Sequence, residues 1–100
     1  MDSLPPVKSI SWQPRNPVYA NRVMTISWTP VEQATEYDVI ILRDDNVQVL
    51  HQKVNTTSLK YTLQNVDIFH KLTATIYAYA EGYLPSPELS QTYHCGNSLG

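Results

Sequence analysis

Three histidines are the residues of this sequence best suited to acid–base or nucleophilic chemistry. They are His51, His70 and His94, and imidazole exchanges protons near neutral pH. A catalytic triad requires a nucleophile, a base and an orienting acid in one cleft, and its sequence signature often includes a glycine-rich turn. The sequence contains no such turn, and the histidines fall on different predicted strands or connections. We therefore predict that the chain has no catalytic residue and is not an enzyme.

The candidate metal ligands are few and poorly spaced. His94 and Cys95 are adjacent and could supply two soft ligands, but a structural zinc takes four. No second pair of the type CxxC or HxxxH accompanies them. Asp44 and Asp45 are followed by Asn46, a composition typical of a turn, because Asp and Asn bond to their own backbone and tolerate left-handed conformations. The sequence thus predicts neither a metal site nor a cofactor.

Cys95 is the single cysteine of the chain, so an internal disulfide is excluded. Two interpretations of this thiol remain open from the sequence. The thiol is free, or it forms a disulfide with a cysteine outside this segment, as expected for a module that is part of a longer chain.

One motif is typical of a modification site. Asn55, Thr56 and Thr57 match the N-x-[ST] acceptor for N-linked glycosylation, in a predicted connection between strands that would expose the amide. Asn55 is therefore a candidate glycosylation site if the parent protein is secreted. It is not one if that protein is bacterial or cytosolic.

Length and composition restrict the classes of protein to which the chain can belong. It has 100 residues, of which 42% are hydrophobic, enough for one packed core and too few for two domains. Seven Lys and Arg against nine Asp and Glu give a formal net charge of −2, which argues against nucleic acid as a partner. No apolar run approaches the roughly 20 residues of a membrane span, and residues 1–6 lack the pattern of a secretory signal. We expect a soluble domain with no membrane insertion and no obligate oligomer.

Apolar and polar residues alternate with a period of two through most of the chain, which is typical of half-buried strands. The longest alternation places Leu72, Ala74, Ile76 and Ala78 on one face. Turn and breaker residues separate the alternating segments, and no window shows helical periodicity. We predict seven strands, at residues 7–12, 22–28, 37–43, 47–54, 59–63, 72–79 and 89–94. The predicted fold is an all-β, seven-stranded antiparallel immunoglobulin-like sandwich.

Several segments resemble a fibronectin type III domain. Ile26-Ser27-Trp28-Thr29-Pro30 and then residues 34–39 are similar to its B and C strands. The E and F strands with the crossing between them correspond to residues 61–78, and the F–G loop corresponds to residues 81–87. The resemblance extends over about residues 6–94, so we assign residues 1–5 to an N-terminal tail and residues 95–100 to a C-terminal tail or linker. It implies that Trp28 is the core tryptophan and that Tyr37 packs near it.

The main departure from the family lies at the crossing between the E and F strands. The family usually has a leucine, then proline and glycine, then a tyrosine whose hydroxyl bonds the backbone of the crossing. This sequence has Val66, Ile68, Phe69 and Leu72 at those places. Leucine fills the buried volume but has no hydroxyl, so we expect a corner weaker by about 1 kcal/mol.

The alternation also assigns each strand residue to the core or to the outer surface. The predicted core consists of Trp28, Tyr37, Val39, Leu63, Leu72 and Ile76. Residues between the inward positions face outward, so we expect one patch across neighbouring strands, formed by Ile40, Leu42, Tyr77 and Tyr79. Tyrosines beside branched aliphatic residues are frequent at interfaces, which makes this patch a candidate partner contact. Ile68 and Phe69 are a second candidate, an exposed apolar pair at the crossing that would contact an adjacent domain.

These observations favour a binding or spacer module, for cell adhesion or protein–protein interaction, within a larger extracellular or cell-surface protein. Its partner would be another protein or a neighbouring domain of the same chain. Two alternatives remain open. The chain is an accessory module of a secreted carbohydrate-active enzyme, or it is a ligand-binding module of a receptor, for which the connection around Tyr83 and Leu84 is the support.

Overall fold

The alternating segments form antiparallel strands in the structure, a computed structural model that describes residues 1–15 and 20–95. The strands are β1 (Ile10–Gln13), β2 (Val23–Trp28), β3 (Glu36–Arg43), β4 (Gln48–Val54), β5 (Ser58–Thr62), β6 (Lys71–Tyr79) and β7 (Leu89–His94). A short 3-10 helix, Asn65–Asp67, lies in the connection between β5 and β6. β1 begins later than predicted because the Lys8 and Ser9 amides donate to the Thr29 hydroxyl and not to a neighbouring strand.

The strands form two sheets, and this confirms the predicted sandwich. One sheet has the order β1-β2-β5 and the other the order β4-β3-β6-β7. All strand pairs are antiparallel, and Val39 lies opposite Ile76 where β3 meets β6. In the part of the chain that the structure describes, no helix is long and apolar enough to cross a membrane.

The inward side chains of both sheets fill one core. All six residues assigned to the core from the sequence lie in it, and the most exposed of them, Trp28, is only 6% exposed. The rings of Trp28 and Tyr37 meet edge to face with their centroids 5.6 Å apart, as the family resemblance implied. The Tyr37 hydroxyl accepts a hydrogen bond of 2.9 Å from the Val31 amide, so the ring is both packed and tethered.

The packed domain is longer at both ends than the sequence indicated. Leu4, assigned to the N-terminal tail, is 1% exposed, and its amide donates to the Leu84 carbonyl at 3.1 Å. The Leu84 amide in turn donates to the Asp2 carbonyl at 2.9 Å. Cys95, assigned to the C-terminal tail, is buried, and its amide donates to the His70 carbonyl at 3.0 Å. These backbone pairings have no periodic signature, which is why alternation alone does not reveal them.

Candidate functional site

The outer face of the four-stranded sheet carries the first predicted patch. The register of β3 against β6 places Asp38 opposite Tyr77 and Leu42 opposite Thr73, so these side chains share one face. Ile40 and Tyr79 follow on the same face by period two. The four patch residues are therefore together, but only Leu42 is exposed, at 40%. Ile40, Tyr77 and Tyr79 are half-buried.

Polar contacts cover this sheet face. Hydroxyl groups pair across β6 and β7 at 2.8–2.9 Å, in the pairs Thr73–Thr92 and Thr75–Ser90. The Tyr77 hydroxyl donates to Glu88 at 3.0 Å, and this hydrogen bond raises the pKa of Tyr77. The Lys53 ammonium lies 5.3 Å from the centre of the Tyr79 ring, within the range of a cation–π contact. The tyrosines are thus already engaged within the domain.

One carboxylate on this face was not singled out by the sequence analysis. Asp38 is buried although it points outward, and its Oδ1 atom lies 2.8 Å from Nε2 of His51. The register places Lys53 directly opposite Asp38 on β4. A buried carboxylate requires such partners. The alternation shows only that Asp38 faces outward, and its burial depends on long side chains from two neighbouring strands.

The crossing between β5 and β6 corrects the second predicted patch. Ile68 is not exposed: it is 4% exposed, whereas Phe69 is 63% exposed and Val66 is 64% exposed. Ile68 has extended backbone with φ −65° and ψ 139°, and the next residue, Phe69, has φ +73°. This change of backbone conformation sends the two adjacent side chains to opposite sides. The exposed apolar pair of the crossing is Val66 and Phe69, which we call the crossing patch.

A buried aspartate stabilises the crossing where the family has a tyrosine hydroxyl. Asp67 is 0% exposed and accepts hydrogen bonds from the Tyr61 hydroxyl at 2.5 Å, the Gln64 amide at 2.8 Å and Nη1 of Arg43 at 3.1 Å. Burial of Tyr61 and the hydrogen bond from its hydroxyl to Asp67 raise the pKa of Tyr61. The crossing therefore lacks the tyrosine hydroxyl bond of the family but has three hydrogen bonds to a carboxylate in its place. Hydrogen bonds to a charged group are stronger than neutral ones. A lone aspartate between apolar Val66 and Ile68 was the available signal.

The turn between β3 and β4 brings three possible metal ligands together. One ligand atom each of Asp44, Asp45 and His70 lies within 4.8 Å of the others. Asp44 and His70 are joined at 2.5 Å, and the Lys71 amide donates to the second oxygen of Asp44 at 3.1 Å. Nε of Arg43 donates to Asp45 at 2.8 Å. These hydrogen bonds lower the pKa values of Asp44 and Asp45. The three residues thus lie together because hydrogen bonds link the β3–β4 turn to the crossing.

The comparisons with known proteins find similar structures but no similar sequence family. No family model matches the sequence, and no curated protein matches it. The crystal structure of FN3tt is similar at a TM-score of 0.69 and 10% identity, over 96% of this chain and 99% of that chain. The twitchin kinase region from C. elegans, Fn31-NL-kin-CRD-Ig26, is similar at a TM-score of 0.69 and 11% identity, over 98% of this chain and 18% of that chain.

This chain has the fibronectin type III fold. Within the fold, the crossing patch occupies the connection at which the sequence departs from the family pattern. Val66 and Phe69 are the most exposed large apolar side chains of the described residues apart from Met1.

Exposed apolar residues of this fibronectin type III fold lie near its two ends. At the N-terminal end they are Met1 and Leu84, which are 84% and 49% exposed. At the C-terminal end, where β3 ends, β6 begins and the chain reaches Cys95, they are Val23, Leu42, Val47, Val66 and Phe69. Apart from Leu42, the outer sheet face contributes none of the large apolar side chains that are exposed in the described ranges.

Cys95 lies at the same C-terminal end but is poorly suited to chemistry. Its side chain is buried, and burial raises the pKa of its thiol to about 11. The thiolate is the reactive form, so little of it is present near neutral pH.

Proposed function

We propose that this chain is a non-catalytic binding or spacer module of a larger extracellular or cell-surface protein. The observation that carries the proposal is the position of its exposed apolar side chains, which lie near the ends where the polypeptide enters and leaves the sandwich. Exposed apolar patches on soluble domains often mark interaction surfaces. Patches at the two ends of one module suit contact with neighbouring domains along a chain.

The polar clusters of the domain support a structural role. The oxygens of Asp67 are bonded to Tyr61, Gln64 and Arg43, and Asp44 is bonded to His70 and to the Lys71 backbone. A catalytic group needs an open position for substrate beside it. Hydrogen bonds within the domain already engage the oxygens of these two carboxylates, which favours a spacer over an enzyme.

The twitchin structure offers a parallel for a module in a long chain. This chain aligns with 18% of that chain, whose description joins several parts including a kinase. By analogy, we expect the present domain to have folded neighbours, and a neighbouring domain of the same chain is the partner we favour. The outer sheet face, with Ile40, Leu42, Tyr77 and Tyr79, is a weaker candidate for contact with a separate protein, because most of its apolar surface is covered.

The proposal is tested by comparing this chain alone with the same chain inside its parent protein. Amide hydrogen exchange in β6 reports unfolding of this module in both settings, since Ile76 lies in the core. A neighbour that docks on either end should slow this exchange, because binding to the folded state stabilises it. Equal exchange rates in the two settings would contradict a docked module.

Secretion and glycosylation are tested separately. Asn55 is exposed in the bend between β4 and β5, where a glycosyltransferase can reach its side chain. When the parent protein is expressed in mammalian cells, we expect a mass that decreases on treatment with an N-glycosidase. Asn55→Gln is the matched control and should abolish the decrease. A protein that stays in the cytosol and carries no glycan would contradict the proposed location.

A further inference from the structure

Phe69 combines a left-handed backbone conformation with a large exposed apolar side chain, at the place where the family usually has glycine. Its φ of +73° is in the left-handed region, which L-residues other than Gly, Asn and Asp rarely adopt. The other described non-glycine residues with positive φ are polar, namely Asn21, Gln33 and Asn46. Phe69 is a bulky apolar residue in this conformation, and the residue is 63% exposed. Residues held in strained conformations cluster at functional sites, so Phe69 is a candidate for one.

The residues on both sides of Phe69 are packed or hydrogen-bonded to the rest of the domain. Ile68 anchors the crossing in the core, and buried Asp67 bonds it to β5 and to the end of β3. The His70 amide donates to the Asp67 carbonyl at 3.0 Å, and the Asp44 carboxylate is joined to the His70 ring. The crossing patch is therefore presented by a connection that is fixed on both sides. A surface already held in its binding conformation loses less entropy when a partner docks.

The position of the chain's exit indicates what covers this patch. The Cys95 amide donates to the carbonyl of His70, the residue directly after Phe69, and the Cys95 side chain is buried. The last described residue, Cys95, is thus hydrogen-bonded to the residue that follows Phe69. A tethered partner has an effective concentration on the order of millimolar, so it can dock on a small surface. A separate protein would normally need an interface of roughly 1,000 Å² or more, and two side chains provide far less.

We infer that Val66 and Phe69 form the docking site for the domain that follows Cys95 in the parent chain. This inference rests on the proposed function. It adds which residues make the contact, and that the neighbouring domain is the one that follows this module and not the one that precedes it. The apolar ring and the valine would be covered by an apolar surface of that following domain. Burial of the ring in that contact would offset the strain of the positive φ at Phe69. In the isolated module nothing offsets this strain.

The inference predicts that one substitution changes stability with opposite signs in two settings. Phe69→Asn introduces a residue that tolerates positive φ and removes the ring. In this chain alone it should slow β6 amide exchange and raise the unfolding midpoint by a few degrees, on the order of 5 °C. In the parent protein the same substitution should speed β6 exchange, because the docking contact is lost. Lys60→Ser, at an exposed position of β5 outside both groups of exposed apolar residues, is the control and should have the same effect on β6 exchange in the two settings.

The outcomes separate the inference from the proposed function. If Phe69→Asn slows exchange in both settings, the docking site is not at Phe69, while a slower exchange of the wild type in the parent protein still supports a docked module. If the wild type exchanges equally in both settings, both proposals fail. Hydroxyl-radical labelling of Phe69 needs no variant: its ring should be modified in this chain alone and protected in the parent protein. Equal labelling in the two settings would overturn the inference.

Discussion

The outer sheet face and the crossing patch both present apolar side chains, but in different physical situations. On the sheet face, Tyr77 and Tyr79 are half-buried and engaged with Glu88 and Lys53. In the crossing patch, Val66 and Phe69 are each more than 60% exposed. A sheet supplies every outward side chain with cross-strand neighbours that cover it. A crossing has no such neighbours, so its backbone conformation decides what is exposed.

The comparison shows which kind of apolar residue indicates a binding surface. The period of a strand explains why its alternate side chains face outward, whatever the domain binds. No regular pattern explains the exposure of Phe69, because this exposure depends on a positive φ at one residue. An apolar side chain held outward by an unfavourable backbone conformation is therefore the more informative of the two observations.

The largest expected effect concerns the aspartate beneath the crossing patch. Asp67→Ala removes a buried carboxylate that accepts three hydrogen bonds and leaves the Arg43 guanidinium without that partner. We expect a loss of about 3–5 kcal/mol in the free energy of unfolding, measured by urea denaturation. Asp45→Ala is the matched control, because Asp45 also bonds Arg43 but is exposed, and its effect should be small. Equal effects of both variants would show that Asp67 does not hold the crossing.

A smaller effect separates two adjacent residues of the crossing. Ile68→Ala should reduce the free energy of unfolding by about 2–4 kcal/mol, because it opens a cavity under the crossing. Phe69→Ala should change it little in this chain alone, since the ring is mostly in solvent. Thermal and urea unfolding of the two variants give the comparison. A greater loss for Phe69→Ala would mean that the ring is packed and that the crossing patch does not exist in solution.

The sequence predicts the strands of this protein better than its connections, and the reason is physical. Period two and turn chemistry locate all seven strands, and the same period assigns Val39 and Ile76 to the core. The crossing has no period, so the adjacent apolar residues Ile68 and Phe69 could not be distinguished from each other. Burial of Asp67 depends on Tyr61 and on residues distant in sequence, which no local pattern reveals.

A third prediction tests the sheet face. Replacing Leu42 and Tyr77 together with Ser should lower the free energy of unfolding by only about 1 kcal/mol, since the side chains lie on the outer surface and one hydrogen bond to Glu88 is lost. Tyr77→Phe is the control that removes only the hydroxyl. Thermal melting measures both. A loss above about 2 kcal/mol would place these side chains in the core, contrary to the register of β3 and β6.

The smallest effect concerns pH and the tie between the β3–β4 turn and the crossing. The hydrogen bond with His70 lowers the pKa of Asp44 in the folded state, so ionised Asp44 stabilises the fold above its unfolded pKa of about 3.9. This contribution is lost as the pH falls from that value through the lower folded pKa. The unfolding midpoint of Asp44→Asn should therefore decrease less than that of the wild type between about pH 4 and pH 2. Asp2→Asn, at the opposite end, is the control, and a pH profile of Asp44→Asn as steep as that of the wild type would show that the turn and the crossing are not tied through this carboxylate.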